Sequence, residues 1–120
     1  MQPITTISII RGTDKTFLLT FTNDTGSAID LTHQTVLFTV KSADNIDETD
    51  ITDANAIIKK TGVKDADPTT GKATIILSNT DTDVPNGNYL WDIRLVSDTG
   101  VVSNVSSSPF NITDPVTNRT

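Results

Sequence analysis

The stretch Val84 to Val96, reading VPNGNYLWDIRLV, constrains the fold of this chain more than any other. Asn86 and Gly87 supply turn residues. Beyond them Tyr89, Trp91, Ile93 and Leu95 fall on one face at period two, while Asp92 and Arg94 fall on the other. Such alternation describes a strand buried on one side, and it directs the only Trp and the only Tyr of the chain inward, where two packed sheets would meet.

The same period recurs on both sides of this stretch. Ile7 and Ile9 share a face within Ile4 to Ile10, a first strand expected at a sheet edge. Phe17, Leu19 and Phe21 alternate with Thr16, Leu18, Thr20 and Thr22 in a second strand. A third, Gln34 to Lys41, turns Val36, Phe38 and Val40 inward, and a short fourth, Ala56 to Lys60, carries Lys59 and Lys60, charges that suit an edge. Lys72 to Ser78 directs Ala73, Ile75 and Leu77 inward.

Between these runs lie the turn formers Arg11-Gly12-Thr13-Asp14, Asn23-Asp24-Thr25-Gly26, Asp65 to Gly71 and Asp98-Thr99-Gly100. Ile29-Asp30-Leu31 is a short apolar segment expected against the sheet edge, and Asn79 to Pro85 reads as a single helical turn crossing between sheets. Val101 to Ile112 is polar from Ser103 to Pro109, which predicts an edge strand with a bulge or kink near Ser106 to Pro109. About seven strands with frequent turns predict an all-β, immunoglobulin-like β-sandwich of antiparallel strands, with a small barrel as the alternative. Residues 1–113 form the expected domain and residues 114–120 a tail or linker. Tyr89 stands where such sandwiches place a tyrosine whose hydroxyl bonds back to the preceding corner.

Composition limits the chemistry. The chain has no Cys, so it has neither a thiol nucleophile nor a disulfide framework. Lys plus Arg number 9 against 15 Asp plus Glu, a formal charge of −6 and the wrong sign for a phosphate-binding surface, so no nucleic acid is expected as a partner. The opening MQPITTISII lacks a basic region and a long apolar segment, and no later stretch reaches spanning length. The expectation is a soluble chain made in the cytosol without a signal peptide and without membrane insertion.

The individual candidates read as follows. His33, the only His, follows a turn and has no patterned partner, which describes an exposed loop imidazole. Asp44, Asp47, Glu48, Asp50 and Asp53, with Asn45 and Asn55, could gather oxygen ligands for Ca²⁺, but their spacing lacks the central Gly and flanking helices of the helix-loop-helix calcium pattern. They are read as a solvated loop. Tyr89 and Trp91 could form a sugar-stacking platform, yet they share a face with Ile93 and Leu95, which argues for core. Asn-x-Ser/Thr triplets begin at Asn23, Asn104, Asn111 and Asn118 and are read as compositional coincidence. No catalytic, cofactor-binding or metal-binding residue is assigned, and no cofactor is expected.

Several segments, taken in order, resemble the immunoglobulin-like domain of bacteriophage baseplate upper proteins and related tail or virion components. They are Arg11-Gly12-Thr13-Asp14, Thr25-Gly26, Ile29-Asp30-Leu31-Thr32, VLFTVK from Val36 to Lys41, Asp67-Pro68, Gly71-Lys72-Ala73-Thr74, then Pro85, Gly87, Tyr89, Asp92 and Ile93, and finally Asp98-Thr99-Gly100. His33 stands where the pattern expects a small residue, and Asp44 to Asp53 looks like an insertion. The resemblance implies a non-enzymatic structural and docking module located in the virion. Its implied partners are other virion proteins, with a homo-oligomer as one arrangement, and a carbohydrate-binding module that aids adhesion to the host surface is the alternative function. The expected docking surface is Val101 to Ser108, free of Lys, Arg, Asp and Glu, together with Met1 to Thr6 and Asp114 to Thr120.

Overall fold

The computed structural model describes residues 7–23, 25–43, 53–104 and 108–116. Its strands are β1 (Ile7–Ile10), β2 (Lys15–Thr20), β3 (Gln34–Ser42), β4 (Ile58–Thr61), β5 (Val63–Lys64), β6 (Lys72–Leu77), β7 (Gly87–Ser97), β8 (Val102–Asn104) and β9 (Ser108–Thr113). They form two sheets. The larger runs β1-β9-β7-β3-β4, with β8 also paired to β7, and the smaller runs β2-β6-β5. This is a β-sandwich of immunoglobulin-like type, as the period-two runs imply. Among the described residues no helix is long and apolar enough to cross a membrane.

The alternating residues meet between the sheets. Ile9, Phe21, Val36, Phe38, Val40, Ala73, Ile75, Leu77, Tyr89, Trp91, Ile93, Leu95, Phe110 and Ile112 are all buried, with Ile7, Phe17 and Leu19 packed half-buried against them. The 11-residue β7 is central because it pairs along its length with β3, from Gly87's neighbourhood at Tyr89↔Ser42 to Ser97↔Gln34. On its other side it takes β8 and β9 in succession.

Several local expectations change. The last segment is two strands, and it is not an edge throughout, because β1 lies parallel to β9 with Ile7 opposite Phe110 and covers it. Of these two strands, only β8 keeps an open side among the described residues. The pairing of β7 advances by one residue between them, from Arg94↔Asn104 to Trp91↔Ser108, and the junction at 105–107 lies outside the described residues. The expected bulge therefore appears as a shift of register. Further, β4 begins at Ile58 rather than Ala56, and β5 adds a strand absent from the sequence reading. A 3₁₀ turn forms at Pro68–Thr70, capped by Asp67, whose side chain accepts from the Thr69 N–H. The crossover after β6 is one turn, closed by the Thr82 N–H on the Ser78 carbonyl at 3.2 Å.

The two sides of the sandwich differ. On one, β4 passes through Gly62 directly into β5, so the backbone itself joins the sheets. Gly62 lies so close to β3 that a Cβ there would stand 2.9 Å from Val36 Cβ. On the other side, among the described residues, β1 and β2 are joined by the turn at Arg11 to Asp14 without strand pairing, which leaves a seam between the sheets.

Candidate functional site

The corners of the sandwich are built from polar groups with defined partners. Thr82 is fully buried, and its hydroxyl donates to the Thr13 carbonyl at 2.7 Å, which ties the β6–β7 crossover to the β1–β2 turn. Three more bonds join the same segments: the Gly12 N–H donates to the Thr82 carbonyl at 3.3 Å, the Asn79 N–H to Asp14 Oδ1 at 2.7 Å and Arg11 Nε to Asp83 Oδ1 at 2.9 Å. Nothing in the local sequence around Thr82 signals this role, since its partners come from far along the chain. Tyr89 does what the sequence predicts, its hydroxyl donating to the Pro85 carbonyl at 2.5 Å. Tyr89→Phe should therefore lower stability by about 1 kcal/mol, read as a shift of the denaturant midpoint at unchanged slope. A midpoint equal to that of the parent chain would mean the hydroxyl gains nothing from the corner.

Asp81 joins the crossover to the edge strand β4. Its Oδ2 accepts from the Ser78 N–H at 2.8 Å and from Lys60 Nζ at 2.9 Å. Partial burial pushes the Asp81 carboxyl upward, but the bonds from the Ser78 N–H, Lys60 and the Ser78 side chain, together with the Lys60 charge, outweigh it and hold it below the ordinary 3.8. The sign follows: the unfolded chain takes up the proton first, so the Asp81 contribution is present above pH 3.8 and is lost as pH falls through the lower folded value. The stability gap between the parent chain and Asp81→Asn should be widest near neutral pH and close on acidification. A gap that does not depend on pH would show that the carboxylate charge contributes nothing.

The sequence candidates fall at separate places. The His33 side chain is 75% exposed, with Nδ1 at 3.2 Å from Asp98 Oδ2 across the β7–β8 turn. Nearby, the Thr32 hydroxyl and N–H both donate to Asp30 and hold its carboxyl below the usual value. Of the acidic loop, Asp44 to Asp50 lie outside the described residues. Asp53 is described, and it pairs with Lys41 Nζ at 3.0 Å. Tyr89 and Trp91 are in the core, so they form no stacking platform. Asn23 Oδ1 accepts from the N–H groups of Thr25 and Ser27 and so shapes its own turn. Asn111 lies within β9 between Ser8 and Asn88, and Asn118 lies outside the described residues.

The remaining surface is divided by sheet. The outer face of the larger sheet carries Lys41, Lys59, Asp92 and Arg94 on neighbouring positions of β3, β4 and β7. The outer face of the smaller sheet carries Leu18, Ile76 and Val63, each more than half exposed, among threonines. Beside β2 the seam forms a groove of about 380 Å³ lined by Ile7, Phe17, Leu19, Phe38, Ile75 and Trp91, with Lys15 the one charged lining residue among the described residues. Sequence alternation places Phe17 and Leu19 on the inner face, yet it carries no sign that among the described residues β2 pairs with β6 alone.

No family model matches the chain, and the search of curated proteins finds no match. Solved structures do match in fold. CopC from Methylosinus trichosporium OB3b aligns over 94% of this chain and 88% of its own at a TM-score of 0.52 and 12% identity. Extracellular domains 3-5 of Drosophila OTK align over 94% of this chain and 33% of theirs, at a TM-score of 0.36 and 13% identity. The CopC match supports the sandwich fold; at this identity it says nothing of activity.

Proposed function

We propose that the chain is a non-enzymatic structural protein of a bacteriophage or prophage virion, an immunoglobulin-like docking module of the baseplate, tail or capsid surface. What supports the reading is where the resembling segments fall. Gly12, Asp67, Gly71, Tyr89 and Asp98 each hold a corner, through the Gly12 N–H on the Thr82 carbonyl, the Asp67 cap, the Gly71 turn, the Tyr89 hydroxyl and the Asp98 N–H on the His33 carbonyl. The residues quoted for the resemblance are thus spread over the fold from its first turn to its last.

Docking in this reading uses sheet edges. The β4 edge carries Lys59 and Lys60, charges that discourage pairing. In the last segment only β8 is open, with Val101 64% and Val102 49% exposed at the hairpin end. The Ser97 N–H bonds the Val101 carbonyl at 2.8 Å, so by alternation the Val102 backbone groups face outward. Mass spectrometry of purified particles should find the chain at a defined copy number, and Val102→Lys should lower its incorporation while the fold is retained. A copy number near zero would remove the virion reading, and full incorporation of Val102→Lys would move the contact away from β8.

A further inference from the structure

We propose that the outer edge of β2 is a strand-addition site for an extended segment of a partner chain, apolar at alternate positions and acidic at the end that meets Lys15. The backbone sets the conformation of the occupant. The Phe21 N–H bonds the Gly71 carbonyl at 2.8 Å, and Phe21 and Gly71 continue the β2–β6 register. In an antiparallel pair the bonded positions alternate, so Phe17 and Leu19 bond toward β6 while Thr16, Leu18 and Thr20 direct their N–H and C=O groups away from it. β6 is the only strand paired with β2 among the described residues. Donors and acceptors in this spacing are satisfied by another strand.

The groove sets the side-chain pattern. A strand added here would place alternate residues beside Phe17 and Leu19, over the opening bounded by Phe38 and Trp91. Apolar side chains there remove aromatic surface from water and close the seam between the sheets, while the intervening residues join the threonine-rich outer face. Charge sets the polarity of the partner. Lys15 shares the inner face with Phe17, its Nζ 5.8 Å from that ring, and β2, β5 and β6 contain three Lys and no Asp or Glu in a chain of net charge −6. Asp14 beside Lys15 is turned to the Asn79 N–H, and among the described residues no carboxylate pairs with this lysine, whose charge therefore favours an acidic residue of the partner. The edge also lacks the protection seen at β4, where two lysines adjoin, and at β5, which spans two residues.

The inference stands apart from the virion reading, because it is tested on the purified full chain. The probe is the capped peptide Thr-Val-Thr-Val-Thr-Glu, which in antiparallel register puts Val opposite Leu19 and Phe17 and Glu opposite Lys15. Titration at millimolar concentration, followed by amide chemical shifts, should move Thr16, Leu18 and Thr20 most. The same peptide ending in Lys, or with its alternation scrambled, should bind about tenfold more weakly or worse. Leu18→Pro removes an N–H that faces outward, so it should abolish binding and leave the other amide shifts in place. Should that variant unfold, a probe N-methylated on the residues facing β2 makes the same test on the parent chain and should not bind. Lys15→Glu should reverse the preference between the Glu and Lys probes. The proposal is overturned if these amides do not move, if scrambled and alternating probes bind alike, or if, without probe, Thr16, Leu18 and Thr20 show cross-strand contacts to residues 1–6 or to a second copy.

Discussion

Trp91→Ala should lower the stability of the domain by about 3 to 5 kcal/mol, read as a fall in the denaturant midpoint without loss of cooperativity. Trp91 is 4% exposed and lies in the middle of β7, opposite Val40 of β3 on one side and Ser108 of β9 on the other. Its ring centroid is 5.6 Å from that of Phe38, tilted by 41°, and Phe38 in turn stands 6.4 Å from Phe17 and from Phe110. Truncation removes the largest apolar surface of the chain from the point where β3, β7 and β9 share one interior. Neighbours fixed in strands on both sides cannot collapse into the space left behind, which places the cost at the upper end of the range for buried side chains. A midpoint within error of the parent chain would mean that the Trp91 indole is not packed between the sheets.

The period of two makes that core legible in the sequence. A strand buried on one face must alternate, so Val36, Phe38, Val40, Ile75, Leu77, Ile93 and Leu95 declare themselves by spacing alone. Leu31 shows only in part. It belongs to the short apolar segment expected against the sheet edge, but no spacing marks it as core, and it is completely buried, its N–H held by the Pro68 carbonyl at 3.0 Å. Burial of a loop residue depends on what the fold brings over it, and that information is not local. The same reason hides the place of β9: whether a strand is an edge depends on its neighbours, and the parallel pairing of β1 onto β9 joins the two ends of the chain. The buried hydroxyl of Thr82 belongs to this class as well.

The turn positions are legible for a different reason. Gly12, Asp67, Gly71, Pro85 and Tyr89 are where the backbone must turn or be pinned, and turn geometry restricts residue choice more tightly than strand surface does. They identify architecture and leave the surface free to vary. This is why the proposed docking edge at β2 rests on the outward backbone groups of the structure, whereas the sequence itself offers the uncharged Val101 to Ser108 as a docking edge and contributes the inward placement of Phe17 and Leu19.

Gly71→Ala is expected to cost about 2 to 4 kcal/mol, far more than one added methyl group would suggest. Gly71 has φ 72° and ψ 17° and ends the 3₁₀ turn, its N–H on the Pro68 carbonyl at 3.3 Å. The left-handed conformation alone penalises a side chain by about 1 to 2 kcal/mol. Space adds a second penalty, because a Cβ at this position would lie 2.6 Å from the Phe21 carbonyl oxygen and within 3.2 Å of the Ile29 backbone N and O. None of these atoms is the movable end of a side chain. Phe21 is held there by its N–H on the Gly71 carbonyl and by its own carbonyl, which accepts from the Ile29 N–H at 3.0 Å. The start of β6, the end of β2 and the segment entering Leu31 are thus pressed against one glycine. Gly26→Ala separates the two penalties: Gly26 has φ 84° but nothing within 4 Å of its Cβ position, so it bears the conformational cost alone. The midpoint of Gly71→Ala should fall well below that of Gly26→Ala. Equal midpoints would show that the backbone around Gly71 yields to a methyl group and that the corner does not depend on the close approach.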